Sequence, residues 1–586
     1  MRVVVFDHIP DDPDLRRAWN ALALGMEHAE VFFTYEWSVA VERAYKGRLT
    51  LLLVLGYDDA GLAGVAALTR KRTGELVFLT ADTADYCDFL CASSLRRQFV
   101  FAVLSELKAR KVGTAVFTNL PADSHSVSAL WEAGSRTGYC LHMRGAYVCA
   151  QVRLGSGEER YSLKQSVLAK KRLRKNFREL ASRGTVLLEH ETEWSDIRSL
   201  LPQFARAHIA RFLETGKKSS LICPERRAFL EELGDELSRS GWIVFSRLVV
   251  GKVTAAWNYG FRFAGSWFWY QPTMNDCYRD LSPGHCLLAK IVEQACDSHD
   301  LDVVDLGLGA EGYKERFANS SRRTLYCEVN GSRIRHWRTI ARYRAATIAR
   351  ASPSLETWIR MMISTLGKVR EMLATEGIWG MLRRAGQRVR RLLFSHDKLL
   401  VFEWRAGART PDTSGIRLVP LDSDALGAAA LQYGNDPVRL RFFMRSAQRL
   451  RSGDGQGFVL MTADGTPVHF CWAKECEGFY VKELDRTLRG LCENTVIIFD
   501  CLTPEAARGH GYFQQAISLL ARQLNSQGVA AWIFRCEADL TEFRDSEKSG
   551  FHHKFTLGRR RILFFKRISD SLPTVKSHQE HKLSAV

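Results

Sequence analysis

The sequence lacks any run of 18 or more apolar residues. The stretch LLLVLGYDDAGLAGVAAL is interrupted by Asp58 and Asp59, so no membrane-spanning helix is expected. No apolar core follows a basic N-terminal region either, since MRVVVFDHIPDD turns acidic after one short strand-like run, and a secretory leader is not expected. The 14 cysteines form no Cys-x-x-Cys pair, Cys87 and Cys91 being among the closest. That removes the usual zinc and dithiol motifs and leaves buried reduced thiols as the expectation. Gly-x-Ser-x-Gly and His-Glu-x-x-His are both missing, and Gly216-Lys217-Lys218-Ser219 lacks the first glycine of a phosphate-binding loop because position 211 is Arg. No metal is expected. The chain is expected in the cytoplasm, with peripheral contact to the inner face of the membrane as an extension of that expectation.

What is present is a chain of 586 residues with 46% apolar and 25% charged residues, long enough for three or four soluble domains with their own cores. The net charge of +18 is concentrated. Residues 331 to 400 hold 15 Lys/Arg against 4 Asp/Glu, a local excess of +11. Such a balance suits nucleic acid, an anionic membrane or an acidic substrate, and charge alone does not choose among them.

The patterning recurs. Leu49 to Leu55, a turn at Asp58 to Gly61 and Leu62 to Thr69 read as a hairpin, followed by strand Leu76 to Thr80, helix Leu95 to Arg110 and strand Thr114 to Thr118. The same order returns from Trp242 through helix Gly284 to Ala295 and strand Asp302 to Leu306, and again from Phe458 to Arg535. Three hairpins, each leading to a strand-helix-strand crossover, predict three copies of one mixed α/β unit. Between the first two, LKQSVLAKKRLRKNFREL (residues 163 to 180) reads as one basic helix with Leu173, Phe177 and Leu180 on one face. Its seven Lys/Arg suit either a solvated face or a phosphate-facing helix at a cleft.

Gly307-Leu308-Gly309-Ala310-Glu311-Gly312 satisfies Gly-x-Gly-x-x-Gly, but Tyr313 to Phe317 leads directly into another strand and not into a long helix. The dinucleotide reading therefore fails on context. In the last unit, the strand Val496 to Leu502 is followed by Ala506-Ala507-Arg508-Gly509-His510-Gly511 and a helix from Phe513 to Leu524. Strand, small-residue loop, helix brings backbone N–H groups and a positive helix end to one spot where an anion can sit.

Thr495 to Phe551 resembles the acyl-CoA-binding core of the GNAT acyltransferase superfamily, whose Arg/Gln-x-x-Gly-x-Gly/Ala loop holds the CoA pyrophosphate. Arg508 and Gly511 match and Phe513 departs; Ser546 stands where the family often has a general-acid Tyr. The resemblance implies a donor site at Leu502, Thr503, Arg508, Gly509, His510 and Gly511, with acetyl-CoA or another acyl-CoA as donor. Residues 1 to 330 resemble the BioF2-like acyltransferases of cellulose and exopolysaccharide biosynthesis, distantly FemAB-like. The matching stretches are Phe33-x-x-Glu36-Trp37, Asp85-Tyr86-x-Asp88-Phe89, the basic helix with Arg172 and Arg174, Ser282-Pro283-Gly284, and Asp305-x-Gly307-x-x-x-Glu311-x-Tyr313-Lys314. That resemblance implies two fused GNAT-like units and places Lys314 at the donor site.

The expected fold class is therefore α/β with mixed sheets, as three GNAT-like units. The expected divisions are 1–152, 160–332, a basic helical linker at 333–398, a C-terminal unit at 399–568 and a disordered tail at 569–586. Within the linker, Ile378 to Leu393 makes an amphipathic helix with clustered arginines, suited either to an anionic membrane or to packing on its neighbours. Acyl transfer needs a held donor, a base and oxyanion stabilisation. Lys314 is the expected charge, Glu311 the expected base, and Asp305 a further polar group at the strand end. The expected function is transfer of an acyl group from acyl-CoA to an amine or hydroxyl of a sugar or polysaccharide precursor. Two alternatives are a FemAB-like transferase using aminoacyl-tRNA and a non-catalytic CoA- or partner-binding module. No DNA partner is expected, and tRNA only under the first alternative.

Overall fold

The computed structural model describes residues 1–309, 312–351, 361–362, 383, 394–406, 414–490, 493–536, 549–562 and 565–570. Glu311, Ser546, most of the expected amphipathic helix at 378–393 and the tail from 571 on lie outside the described residues. The chain divides into two compact units, one of Met1–Arg211 with Lys218–Ser352 and one of Phe212–Lys217 with Pro353–Val586.

The first unit is built on a 13-stranded mixed sheet. Its hairpin Thr50–Asp58 and Gly61–Arg70 leads to Leu76–Phe78, helix Arg96–Ala109 and strand Thr114–Pro121, which lies parallel to Leu76–Phe78. The same order recurs as Ile243–Val250, Val253–Phe263, Ser266–Met274, helix Pro283–Asp297 and the parallel strand Val303–Leu308. Alternating residues of these strands fill the core: Ala256, Trp267, Val304 and Leu306 are fully buried under the apolar face of Pro283–Asp297.

The two halves exchange strands. Cys140–Arg153, the last strand of the first half, pairs with Val303–Leu308 and Ser320–Asn330 of the second. Ser320–Asn330, in turn, also pairs with Thr114–Pro121 of the first. The halves thus share one continuous sheet. The basic segment at 163–180 is two helices, not one: Gly157–Leu168, started by a capping box between Ser156 and Glu159, and Lys171–Arg183. The break is at Lys170, whose backbone is extended (ψ 113°) and whose side chain reaches over the Phe317 ring at 4.6 Å to the Arg316 carbonyl. Leu173 and Leu180 of the second helix are buried, with Phe177 packed beside them.

The second unit carries an eight-stranded mixed sheet. Hairpin Gln456–Thr462 and Pro467–Glu475, strand Thr495–Leu502, helix Tyr512–Ser526 and parallel strand Ala530–Cys536 follow the order seen twice in the first unit. Phe394–Trp404, which precedes that hairpin in the chain, inserts between Ala530–Cys536 and Phe551–Ile562. Ser569 and Asp570, expected to begin the tail, end the edge strand Phe565–Asp570.

Candidate active site

In the second half of the first unit, the parallel pair Ser266–Met274 and Val303–Leu308 stays in register only as far as Phe268 opposite Asp305. Beyond it both strands bulge. Trp269 and Tyr270 together oppose the single residue Gly260, and the ladder with Cys140–Arg153 jumps from Asp305 to Leu308. A bulge bends its strand and breaks its ladder locally, and here the two bulges open the sheet between adjacent strands.

On the helix side of that opening lies a cavity of about 190 Å³ whose lining includes Arg211, Trp269, Arg279, Ser282, Gly284, His285 and Tyr313. Pro283 occupies the first position of the helix, where no amide is needed, so the helix start presents its positive end here. Tyr313 is fixed by a hydrogen bond from Trp269 Nε1 (3.2 Å) and by stacking on His285 (5.3 Å). Burial lowers the His285 pKa, and Arg316, Arg172 and Arg211 lower it further. A neutral imidazole among guanidinium groups beside a helix start makes a positive, anion-seeking corner.

Val303 and Asp305 alternate with Val304 and Leu306 and face the other side of the sheet. There they line a polar cavity of about 350 Å³ with Glu30, Asp123, Gln151, Arg153 and Arg322, among others. Arg322 donates to Glu30 at 2.5 Å and to Asp123 at 3.1 Å, so residues from both halves build its wall.

Asp305, 2% exposed, accepts three hydrogen bonds: from Tyr86 OH (2.9 Å) and Gln151 Nε2 (2.7 Å) on Oδ2, and from the Gly307 amide (2.7 Å) on Oδ1. Gly307 adopts φ +70°, and a Cβ there would collide with the Asp85 carboxylate; only glycine lets the turn pass so close. Lys314 is 5% exposed and donates from Nζ to the Leu308 carbonyl at 2.7 Å. It is therefore not the surface side chain that pairing with Glu311 would imply. Burial raises the Asp85 pKa to about 7, and the Asp305 charge adds to the shift; Lys314, Arg226 and the Leu308 amide oppose it. Asp85, Asp305, Gly307 and Lys314 thus meet at the strand end.

In the first half the corresponding gap is filled by the chain itself. Asn119 donates to the Ala84 carbonyl at 2.9 Å and accepts from the Cys87 amide at 3.0 Å, and Tyr86, Cys87, Asp88 and Phe89 are buried there. In the second unit the parallel pair runs from Thr495 opposite Ala530 to Ile498 opposite Ile533. A bulge follows at Asp500 (φ +46°), which Arg449 and Arg445 hold. The loop expected to hold a phosphate lies beyond it. Arg508, Gly509, His510 and Gly511 are exposed, with φ +86° at Gly509 and +74° at Gly511, the cap of helix Tyr512–Ser526. Leu502 ends the strand and Thr503 bonds to the buried His469 at 2.7 Å.

Asp85, Tyr86 and Gln151 as partners of Asp305 were not visible in the sequence as site residues. The only signal was the Asp85-Tyr86 stretch itself, which carries no spacing relation to Asp305.

Residues 168–315 match a family model, the acetyltransferase (GNAT) domain, and so cover the bulged strands, the helix start and Lys314. Among solved structures the chain is similar to FemX (10% identity over 56% of this chain and 97% of that one, TM-score 0.41). It is also similar to the C-terminal domain of a putative lysylphosphatidylglycerol synthetase from Agrobacterium fabrum (13%, 57% and 97%, TM-score 0.37). A third is a tandem GNAT protein from the clavulanic acid biosynthesis pathway (11%, 56% and 98%, TM-score 0.34). No curated protein sequence matches the chain.

Proposed function

We propose that the chain, whose residues 168–315 match the acetyltransferase (GNAT) domain model, transfers an acyl group from acyl-CoA to an amine or hydroxyl of a sugar or polysaccharide precursor. The observation that carries this reading is the opening between Ser266–Met274 and Val303–Leu308. It has a positive cavity at a helix start on one face and a polar, carboxylate-rich cavity on the other. The first suits the phosphates of a CoA handle. The second suits an acceptor dense in hydroxyl and amino groups.

In this reading the acceptor N–H or O–H attacks the thioester carbonyl, and Asp85 takes the proton as the new bond forms. A group with a pKa near 7 is matched to that task. Lys314 stabilises the oxyanion, and its collapse breaks the C–S bond and releases CoA as thiolate, which is protonated on leaving. Asp305, with three donors on its carboxylate, positions Gly307 and Tyr86 and transfers no proton. The loop Arg508–Gly511 in the second unit is a second CoA-phosphate holder, where Ser546 leaves no Tyr general acid.

One observation favours aminoacyl-tRNA as the donor. Lys171, Arg172, Arg174, Lys175 and Arg178 are all exposed on the helix beside the His285 cavity, an arrangement suited to polynucleotide phosphates. Thermal unfolding of the full chain with CoA and, separately, with tRNA decides between them. A ligand at about 100 times its dissociation constant adds roughly 2.7 kcal/mol. Stabilisation by CoA and not by tRNA is expected; the reverse overturns the acyl-CoA reading.

A further inference from the structure

The helix Arg333–Ala351 follows the last strand of the first unit and has two unlike faces. Its inner face is pinned to the sheet. Thr339 is buried and donates to Glu328, Tyr343 stacks on His142 at 5.1 Å, and the Arg144 guanidinium lies 4.4 and 4.7 Å from the Tyr326 and Tyr343 rings. These contacts fix the helix without any help from its outer face. On that outer face Ile334, Trp337 and Ile348 are 67%, 66% and 65% exposed, and the 3.6-residue period aligns them with Ala341 and Ala345. Arg338 lies within the stripe, Arg333 and Arg344 fall along one flank, and Arg335 and Arg342 along the other. The helix contains no acidic residue.

We propose that this face seats the protein on an anionic lipid bilayer, with Trp337, Ile334 and Ile348 entering the interface and the arginines meeting lipid phosphates. An exposed Trp and two Ile on a helix that packs through its opposite side leave apolar area in water that an interface would remove. Charge selects the partner. Two copies joined through this face would set arginines against arginines, and a polynucleotide would use the arginines while leaving Ile334 and Ile348 in water. Neither objection applies to anionic lipid, which takes up both the apolar stripe and the charge. The inference does not depend on the acyl-transfer reading.

The test is co-sedimentation of the full chain with vesicles of phosphatidylcholine alone and with vesicles of equal parts phosphatidylcholine and phosphatidylglycerol. Binding only to the second, weakened by salt, is expected. Other basic segments of the chain could also attract such vesicles, so variants of this helix decide. Arg338→Ala with Arg344→Ala should lower the partition coefficient by about 30-fold, from roughly 1 kcal/mol per arginine near the surface. Trp337→Ser with Ile334→Ser should lower it at least about tenfold through lost apolar burial. These side chains are exposed, so unchanged circular dichroism and melting temperature are expected. Vesicle binding equal to the parent in both double variants overturns the proposal. So does a parent that ignores anionic vesicles but binds an oligonucleotide through the same arginines. A parent dimer that Trp337→Ser converts to a monomer, with vesicle binding intact, also overturns it.

Discussion

Folding lifts the Asp85 carboxyl from its ordinary 3.8 to about 7, through burial first and then the neighbouring Asp305 charge. The unfolded chain therefore releases this proton at lower pH than the folded one. Between about pH 4 and 7 this single group makes stability fall as pH rises, by up to roughly 1.4 kcal/mol per pH unit. As a base it must be ionised, so turnover should rise with pH through about 7. Asp85→Asn is expected to abolish that limb and to flatten the stability slope, readable from a pH-rate profile and a melting series; a rising limb that persists unchanged in the variant would remove Asp85 from the proton transfer. Lys314→Met should lower turnover by about 10²- to 10³-fold, the scale of losing one oxyanion donor, while the protein remains folded. Turnover within a few-fold of the parent would rule the role out. The placement of Lys314 and Asp305 at a strand end is legible in the sequence, because they flank a glycine turn after an apolar strand. Asp85 was not: Tyr86 and Asp305 are 219 residues apart in the chain, and only the shared sheet brings them together.

At the scale of elements, periodicity located the hairpins, crossovers and glycine loops, because each is dictated by local side-chain alternation and turn chemistry. It did not foresee the break at Lys170, which a contact with Arg316 and Phe317 imposes, nor the exchange of strands between halves, since pairing partners leave no local mark. That exchange has a consequence for folding. Both neighbours of Cys140–Arg153 come from the second half, so residues 1–152 expressed alone should leave a strand unpaired and fail to give cooperative unfolding. A sharp melting transition for that fragment would contradict this. In the second unit, Gly511→Asp places a carboxylate at the helix start and keeps a φ of +74° that Asp adopts at modest cost. It should weaken CoA binding to that loop without unfolding the unit. Unchanged affinity, measured on the full chain with the first-unit site blocked by Gly284→Asp, would show that the loop holds no pyrophosphate.

Across the whole molecule, the same strand-helix-strand divergence occurs at three places with three different outcomes. It is closed by the chain's own Tyr86–Phe89 in the first half, open with buried charge in the second half, and open with an exposed glycine loop in the second unit. No helix among the described residues is long and apolar enough to cross a membrane. At the middle site the helix start at Pro283 would hold the donor. Gly284 lines that cavity, and a Cβ there would meet no atom within 4 Å. A carboxylate in a first helical turn stabilises the helix by about 0.3 to 1 kcal/mol, so Gly284→Asp should not lower the melting temperature, yet it puts negative charge where the CoA phosphates would sit. The decisive measurement is calorimetric titration of acetyl-CoA into the full-length parent and Gly284→Asp, each also carrying Gly511→Asp to silence the second unit. Saturable binding to the parent background is expected, with at least about a tenfold loss of affinity with Gly284→Asp, an effect of roughly 1.4 kcal/mol. No binding to the parent background, or equal affinity in the two proteins, would contradict that expectation.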